Sequence, residues 1–247
     1  MPKPAPARDA GNAPFALAVA LGGLALFCLD VAAARHGLVA RAPAAIGGMA
    51  LLALTGLCAI LLSAGRLIRG PGGKGTVHAV AALVVALPML GFPLFFLYQG
   101  LTHPAIYDIS TDLKDPPAFV ALLAVRAAVD ANPLDRSPRE TAKQAAGYPD
   151  VHGLTLGLPP AASFARALAT ARAMGWRIAA ADAASGHIEA TATTRLFGFS
   201  DDIVVRIRAA PGGGSRIDLR SVSRRGNGDF GANAARIRAY LSRLRQP

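Results

Sequence analysis

Ten polar residues in the C-terminal third are the ones whose types and spacing could do chemistry. They are Glu189, Asp202, Arg206, Asp218, Arg220, Ser223, Arg224, Asp229, Asn233 and Arg236. Arginine offers a planar fork for carboxylates and phosphates, so arginines on a sheet face beside a helix N-terminus would suit an anion pocket. A hydrolase or transferase would instead work Glu189 with Asp202 or Asp218 as acid and base. Neighbouring arginines oppose that use, because they keep carboxylates ionised, the wrong state for a general acid. A third reading is a structural network in which Asp229 and Asn233 hold a turn while Arg236 and Glu189 pair. That network is the preferred reading, since enclosed charges are usually paired for structure.

Four strand-like runs must position these residues: 176–182, 187–195, 202–209 and 215–223. Short glycine-bearing links join them, as in antiparallel hairpins. Ile188, Ala190 and Ala192 alternate with Glu189, Thr191 and Thr193; Ile203, Val205 and Ile207 alternate with Asp202, Arg206 and Arg208; Ile217 and Leu219 alternate with Arg216, Asp218 and Arg220. One face is apolar and the other charged, which predicts a sheet covered on one side only. The spacing predicts a helix over 160–174, with Ser163 as a candidate cap, and another over 229–243, capped by Asp229 or Asn227. A third helical pattern runs over 119–129. Residues 132–157 read as loop around one helical turn near Ala142, and 102–115 as an extended lead. The predicted class is α+β, a four-stranded antiparallel meander covered on one face by helices.

Ahead of this domain lie three apolar runs, 14–34, 44–64 and 76–98, each of the length that crosses a bilayer. They raise the mean hydropathy to +0.38, too high for one soluble domain. The expected organisation is a three-span membrane anchor over 1–103 and an exported domain over 104–247. Lys3, Arg8, Arg66, Arg69 and Lys74 flank one side of the spans, against Arg35, Arg41 and Lys114 on the other. That bias puts the N-terminal tail in the cytoplasm and the C-terminal domain outside, in an inner or plasma membrane. Ala32-Ala33-Ala34 would suit signal cleavage, but the run is long for a signal core and is read as an uncleaved anchor.

Other signals are weaker. Cys28 and Cys58 fall inside spans and read as small apolar filler, which leaves the exported domain without a thiol or disulfide. Pro88 and Pro93 should kink the third span. Gly22-Gly23, Gly47-Gly48 and Gly56 would let helices approach closely, and Asp30 should reach the interface from the outer end of its span. The run Gly70-Pro71-Gly72-Gly73-Lys74-Gly75-Thr76 fails the phosphate-loop pattern, because Gly75 separates Lys74 from Thr76. His103, His152 and His187 lack ligand spacing, so neither a metal nor a cofactor is expected.

All eleven basic residues after position 194 are arginine, against four acids. Nucleic acid is set aside as a partner, because the domain is read as exported and no aromatics interleave the basic face. Membrane lipids, or an envelope protein partner, are the expected contacts.

The C-terminal part also resembles a bacterial family, domain-of-unknown-function 1499. The resemblance rests on Asp108-Ile109-Ser110-Thr111-Asp112, Asp115-Pro116-Pro117-Ala118-Phe119, Tyr148-Pro149-Asp150, Gly175-Trp176, Ile188-Glu189-Ala190, Phe197-Gly198-Phe199 with Asp201-Asp202, and the run from Asp218 to Arg236. It covers about residues 104–245 and implies a domain boundary and an exported location, and no site. The expected function is a membrane-anchored binding or assembly module for an anionic lipid, glycan or protein partner. The alternative is an envelope hydrolase or transferase using the acids of the charged face.

Overall fold

The computed structural model describes residues 11–70 and 73–246. Lys3, Arg8, Pro71 and Gly72 lie outside the described residues. The chain divides into two compact units, Met1–Tyr98 and Gln99–Pro247.

The first unit is built from α1 (Ala13–Arg35), α2 (Arg41–Ile68) and α3 (Gly73–Thr102). All three are long and apolar enough to cross a membrane. Small residues face inward (Ala16, Ala20, Gly23; Gly48, Gly56, Ala59; Ala82, Ala86) while Leu21, Leu29, Leu54, Leu57, Leu87 and Phe95 point out. This inverts the soluble pattern and suits helices whose contacts come from close approach. One glycine of each pair does that work. A Cβ on Gly23 would stand 2.2 Å from Thr55 Oγ1, and one on Gly56 would stand 3.1 Å from the Ala86 carbonyl oxygen, whereas Gly22 and Gly47 face open space. Two expectations change. Asp30 turns its carboxylate onto α2, where a Cβ on Gly48 would be 2.3 Å from Oδ2, rather than out to the helix end. Cys28 and Cys58 are exposed on the helix surfaces, not interior filler. α3 is one continuous helix through Pro88 and Pro93.

The second unit is a six-stranded antiparallel sheet with helices. Its strands are β1 (Asp108–Ser110), β2 (Leu154–Leu156), β3 (Arg177–Asp182), β4 (His187–Thr193), β5 (Ser200–Ala209) and β6 (Ser215–Ser223). The order is β1-β6-β5-β4-β3, with β2 also on β6. The meander of β3 to β6 is the expected one, but four strands become six. β6 is nine residues long and its outer edge takes two three-residue strands, β1 opposite 220–222 and β2 opposite 215–217. Strands that short carry no readable alternation, and they pair because an open edge leaves N–H and C=O groups unmet.

Four helices complete the unit: α4 (Leu123–Ala128), α5 (Pro138–Gly147), α6 (Pro160–Ala173) and α7 (Ala232–Arg245). α6 and α7 lie on the apolar face. Phe164, Ala167, Ala171, Ile237, Tyr240 and Leu244 meet Ile188, Ile203, Val205, Ile207, Ile217 and Leu219 in the main core. Trp176 stacks on Tyr240 at 4.9 Å, and the Tyr240 hydroxyl donates to the Ala167 carbonyl at 2.7 Å. Ser163 does not cap α6. Pro159 and Pro160 start that helix, and Ser163, already in its first turn, donates to the Leu158 carbonyl. The single turn expected near Ala142 is the whole of α5, opened by a capping box in which Ser137 and Glu140 exchange hydrogen bonds.

Most of the charged face is closed to water. The segment expected to be a helix over 119–129 is a loop followed by the short α4, and it folds over that face. Phe119 and Leu122 pack on Val204 and Val222, with Tyr107 and Leu134 beside them. The sheet is therefore covered on both sides, and Glu189, Asp202, Asp218 and Arg220 lie inside.

Candidate functional site

Strand parity sorts the ten candidate residues into two networks on opposite faces. Glu189, Asp202, Arg206, Asp218, Arg220 and Arg224 share the charged face. Ser223 lies on the other face, where Asp229, Asn233 and Arg236 close over it at the start of α7. One pocket holding all ten does not form, because neighbouring strand residues point to opposite sides.

On the first face Asp202 is fully buried and takes two guanidinium groups. Arg126 Nη1 donates to its Oδ2 at 2.8 Å, and Arg224 binds it in fork fashion, Nε to Oδ2 at 2.9 Å and Nη2 to Oδ1 at 2.8 Å. Thr191, its register partner on β4, donates at 2.9 Å. Arg220 makes a second fork, to Asp108 on β1, at 3.0 and 2.7 Å. Arg136 joins Asp108 at 3.4 Å and donates to Gln144, whose side-chain amide brackets the Ser110 backbone. The guanidinium groups of Arg126 and Arg220 also stand over the Phe119 ring, at 5.6 and 5.9 Å.

Glu189 is satisfied differently. Its carboxylate accepts the N–H groups of Val120, Ala121 and Leu122, at 2.6, 2.9 and 2.8 Å, and pairs with His187 Nε2 at 2.8 Å. This bond set explains why 119–122 is loop: three consecutive N–H groups turn toward a buried carboxylate. Burial alone would push the Glu189 carboxyl up, but the His187 bond and the three backbone donors outweigh it and hold the group below the ordinary range. The expected Arg236–Glu189 pair does not exist, since the two lie on opposite faces of the sheet.

Nearer the β5–β6 turn, Asp218 accepts from Thr111, Arg216 and Arg208 at 3.3, 3.0 and 3.4 Å. Arg206, directly opposite in register, reaches it at 3.6 Å. Arg206 and Arg208 both bind Asp115, at 3.0 and 3.2 Å. Asp112 sits beside them. Burial would raise its carboxyl, but the N–H groups of Asp115 and Lys114 and the two arginines hold it low. Here the arginine cluster meets water: Arg208 is 48% exposed, Arg216 38% and Asp115 65%.

On the second face Asn233 accepts from Ser221 at 2.6 Å and donates to Ser223 at 2.9 Å and to the Tyr107 carbonyl at 3.1 Å. Arg236 bridges Ser221 and Asp201. Asp229 holds the turn into α7, accepting from Gly231 and Asn233 at 2.9 and 2.7 Å. Burial nonetheless pushes its carboxyl above the usual range. Phe230 and Gly231 both take positive φ there, 53° and 81°, and glycine carries the second without strain.

A family model described as a protein of unknown function, DUF1499, matches residues 108–244. The chain belongs to this family. No curated protein matches it. The DUF1499 match begins at Asp108, the partner of Arg220, and ends in α7, so it encloses both networks. Sequence reasoning missed Asp108, Arg126, Arg136 and Gln144 as partners, along with Asp112 and Asp115. The signal was present: three aspartates, Asp108, Asp112 and Asp115, fall within eight residues of a domain whose later part is short of acids. Among the described residues no group of three or more His, Cys, Asp or Glu is arranged to hold a metal.

Proposed function

We propose that the chain is a membrane-anchored binding module of the cell envelope. Its tail is cytoplasmic, its sheet domain lies outside, and its ligand is an anionic group on a lipid, glycan or protein partner. The observation that carries binding over hydrolysis is the saturation of the acids. Glu189, Asp202 and Asp218 each already take three or more donors. A carboxylate so engaged has no proton to give and no lone pair aimed at a substrate.

The arginines supply the contact. Arg206 and Arg208 are held by Asp115, an exposed acid in the loop that follows β1. An incoming phosphate or carboxylate takes the place of Asp115 on the two guanidinium groups. Two substitutions then act in opposite directions. Full-length protein in zwitterionic nanodiscs, floated with anionic vesicles, should bind more strongly as Asp115→Asn and more weakly as Arg208→Gln. Both residues are exposed, so each variant should keep its stability to within about 1 kcal/mol. Wild-type binding should fall with added salt. Equal binding to anionic and zwitterionic vesicles would sink this reading.

The orientation rests on Arg66, Arg69 and Lys74 beside the α2–α3 link, together with Lys3 and Arg8, against Arg35, Arg41 and Lys114. A reporter active only outside the cytoplasm should work when fused after Pro247 and fail when fused after Gly70. The reverse pattern would reject the exported location.

A further inference from the structure

The segment that covers the charged face has an outer surface of its own. Residues 118–129 contain one charge, Arg126, and that side chain turns inward onto Asp202. Phe119 and Leu122 also point in. The rest faces out and is apolar: Val120 is 69% exposed, Leu123 47%, and Val125 and Val129 40% each, with exposed alanines among them. The backbone offers water little more there, because the N–H groups of Val120, Ala121 and Leu122 are all given to Glu189. A contiguous apolar ridge of this kind marks a contact surface.

The occupant follows from the tether. α3, long and apolar enough to cross a membrane, ends at Thr102, and β1 begins at Asp108. The five residues between them reach about 20 Å at full extension, so a bilayer around α3 is always near. We propose that the ridge of Val120, Leu123, Val125 and Val129 enters the lipid interface and docks the sheet domain on the bilayer. This rests on the reading of α1–α3 as membrane spans. The flanks carry Lys114 with Asp115 and Arg225 with Asp130, the last two paired at 3.5 Å. Mixed signs make the docking apolar, independent of anionic lipid and of salt, unlike the Arg206–Arg208 contact.

The test uses the full chain with Cys28→Ala and Cys58→Ala, reconstituted in phosphatidylcholine vesicles. A single bimane-labelled cysteine replaces Val125, or Leu57 in the middle of α2, or Ala184 in the exposed β3–β4 turn. Quenchers are lipid spin-labelled near the headgroup, lipid spin-labelled deep on its acyl chain to reach the Leu57 probe, and aqueous iodide. The Val125 probe should lose about half its emission to the labelled lipid and resist iodide at low and high salt, and the Ala184 probe should do the reverse. A Val125 probe open to iodide and untouched by lipid overturns the docking, and so does one shielded from both, which means that protein occupies the ridge. In both cases a lipid-quenched Leu57 probe leaves the membrane reading standing. A Leu57 probe that escapes lipid quenching overturns the membrane reading and the docking with it.

Discussion

Replacing Arg220 and Arg224 together by glutamine should leave the sheet domain unfolded. Each arginine makes a two-pronged pair with a buried acid, Asp108 for Arg220 and Asp202 for Arg224. The two pairs share no acid, so their losses should add. Removing one member of a buried ion pair costs about 3–5 kcal/mol, because the remaining charge is left enclosed. Two such losses match the whole stability of an ordinary domain, about 5–15 kcal/mol. Far-ultraviolet dichroism of the double variant should show no cooperative melt, and each single variant should melt about 10 °C or more below wild type. A double variant that melts within a few degrees of wild type would mean that the charged face is not a sealed network. Removing the shared acid is the sharper check. Asp202→Asn alone strands Arg126 as well as Arg224, so it should be at least as damaging as Arg224→Gln.

Glu189→Gln should produce the second large effect, and its size should depend on pH. The amide keeps one acceptor oxygen where four donors converge, and its NH2 faces N–H groups that need an acceptor. Hydrogen bonds to a charged group contribute about 1.5–3 kcal/mol each, so a loss of about 3 kcal/mol or more is expected at neutral pH. The sign with pH follows from the lowered carboxyl. The folded state holds the Glu189 proton more weakly than the unfolded chain does. Its contribution is therefore complete above the ordinary glutamate range, about pH 4.3 and up, and is lost as pH falls through the lowered folded value. The melting-temperature gap between wild type and Glu189→Gln should be widest near neutrality and close under acid. A gap that stays constant into acid would assign the effect to shape rather than charge. Asp229 runs the other way: its carboxyl is raised by burial, so its folded-state contribution weakens as pH rises.

The hydrophobic runs and the strand alternation are local signals, and the sequence alone determined what they encode. Twenty apolar residues in a row have one economical arrangement, which is why α1, α2 and α3 were legible. Period-2 alternation placed β3 to β6 within two residues of their observed ends, and the same alternation separated Ile203, Val205 and Ile207 from Asp202, Arg206 and Arg208. Family membership was legible too, in the motifs from Asp108 to Arg236. Tertiary structure decided the rest. Which acid meets which arginine depends on elements far apart in sequence, as with Asp108 and Arg220, and alternation names a face without naming what covers it. The charged face read as a solvated surface because exposed and internally paired charges have the same pattern in one dimension. Only the folding of 116–136 over that face, fixed by Glu189 holding three N–H groups and by Arg126 turning inward to Asp202, converts it into a second core. That same inversion leaves the valines and leucine of the covering segment outside, since a chain that spends its one charge inward has only apolar side chains left to present.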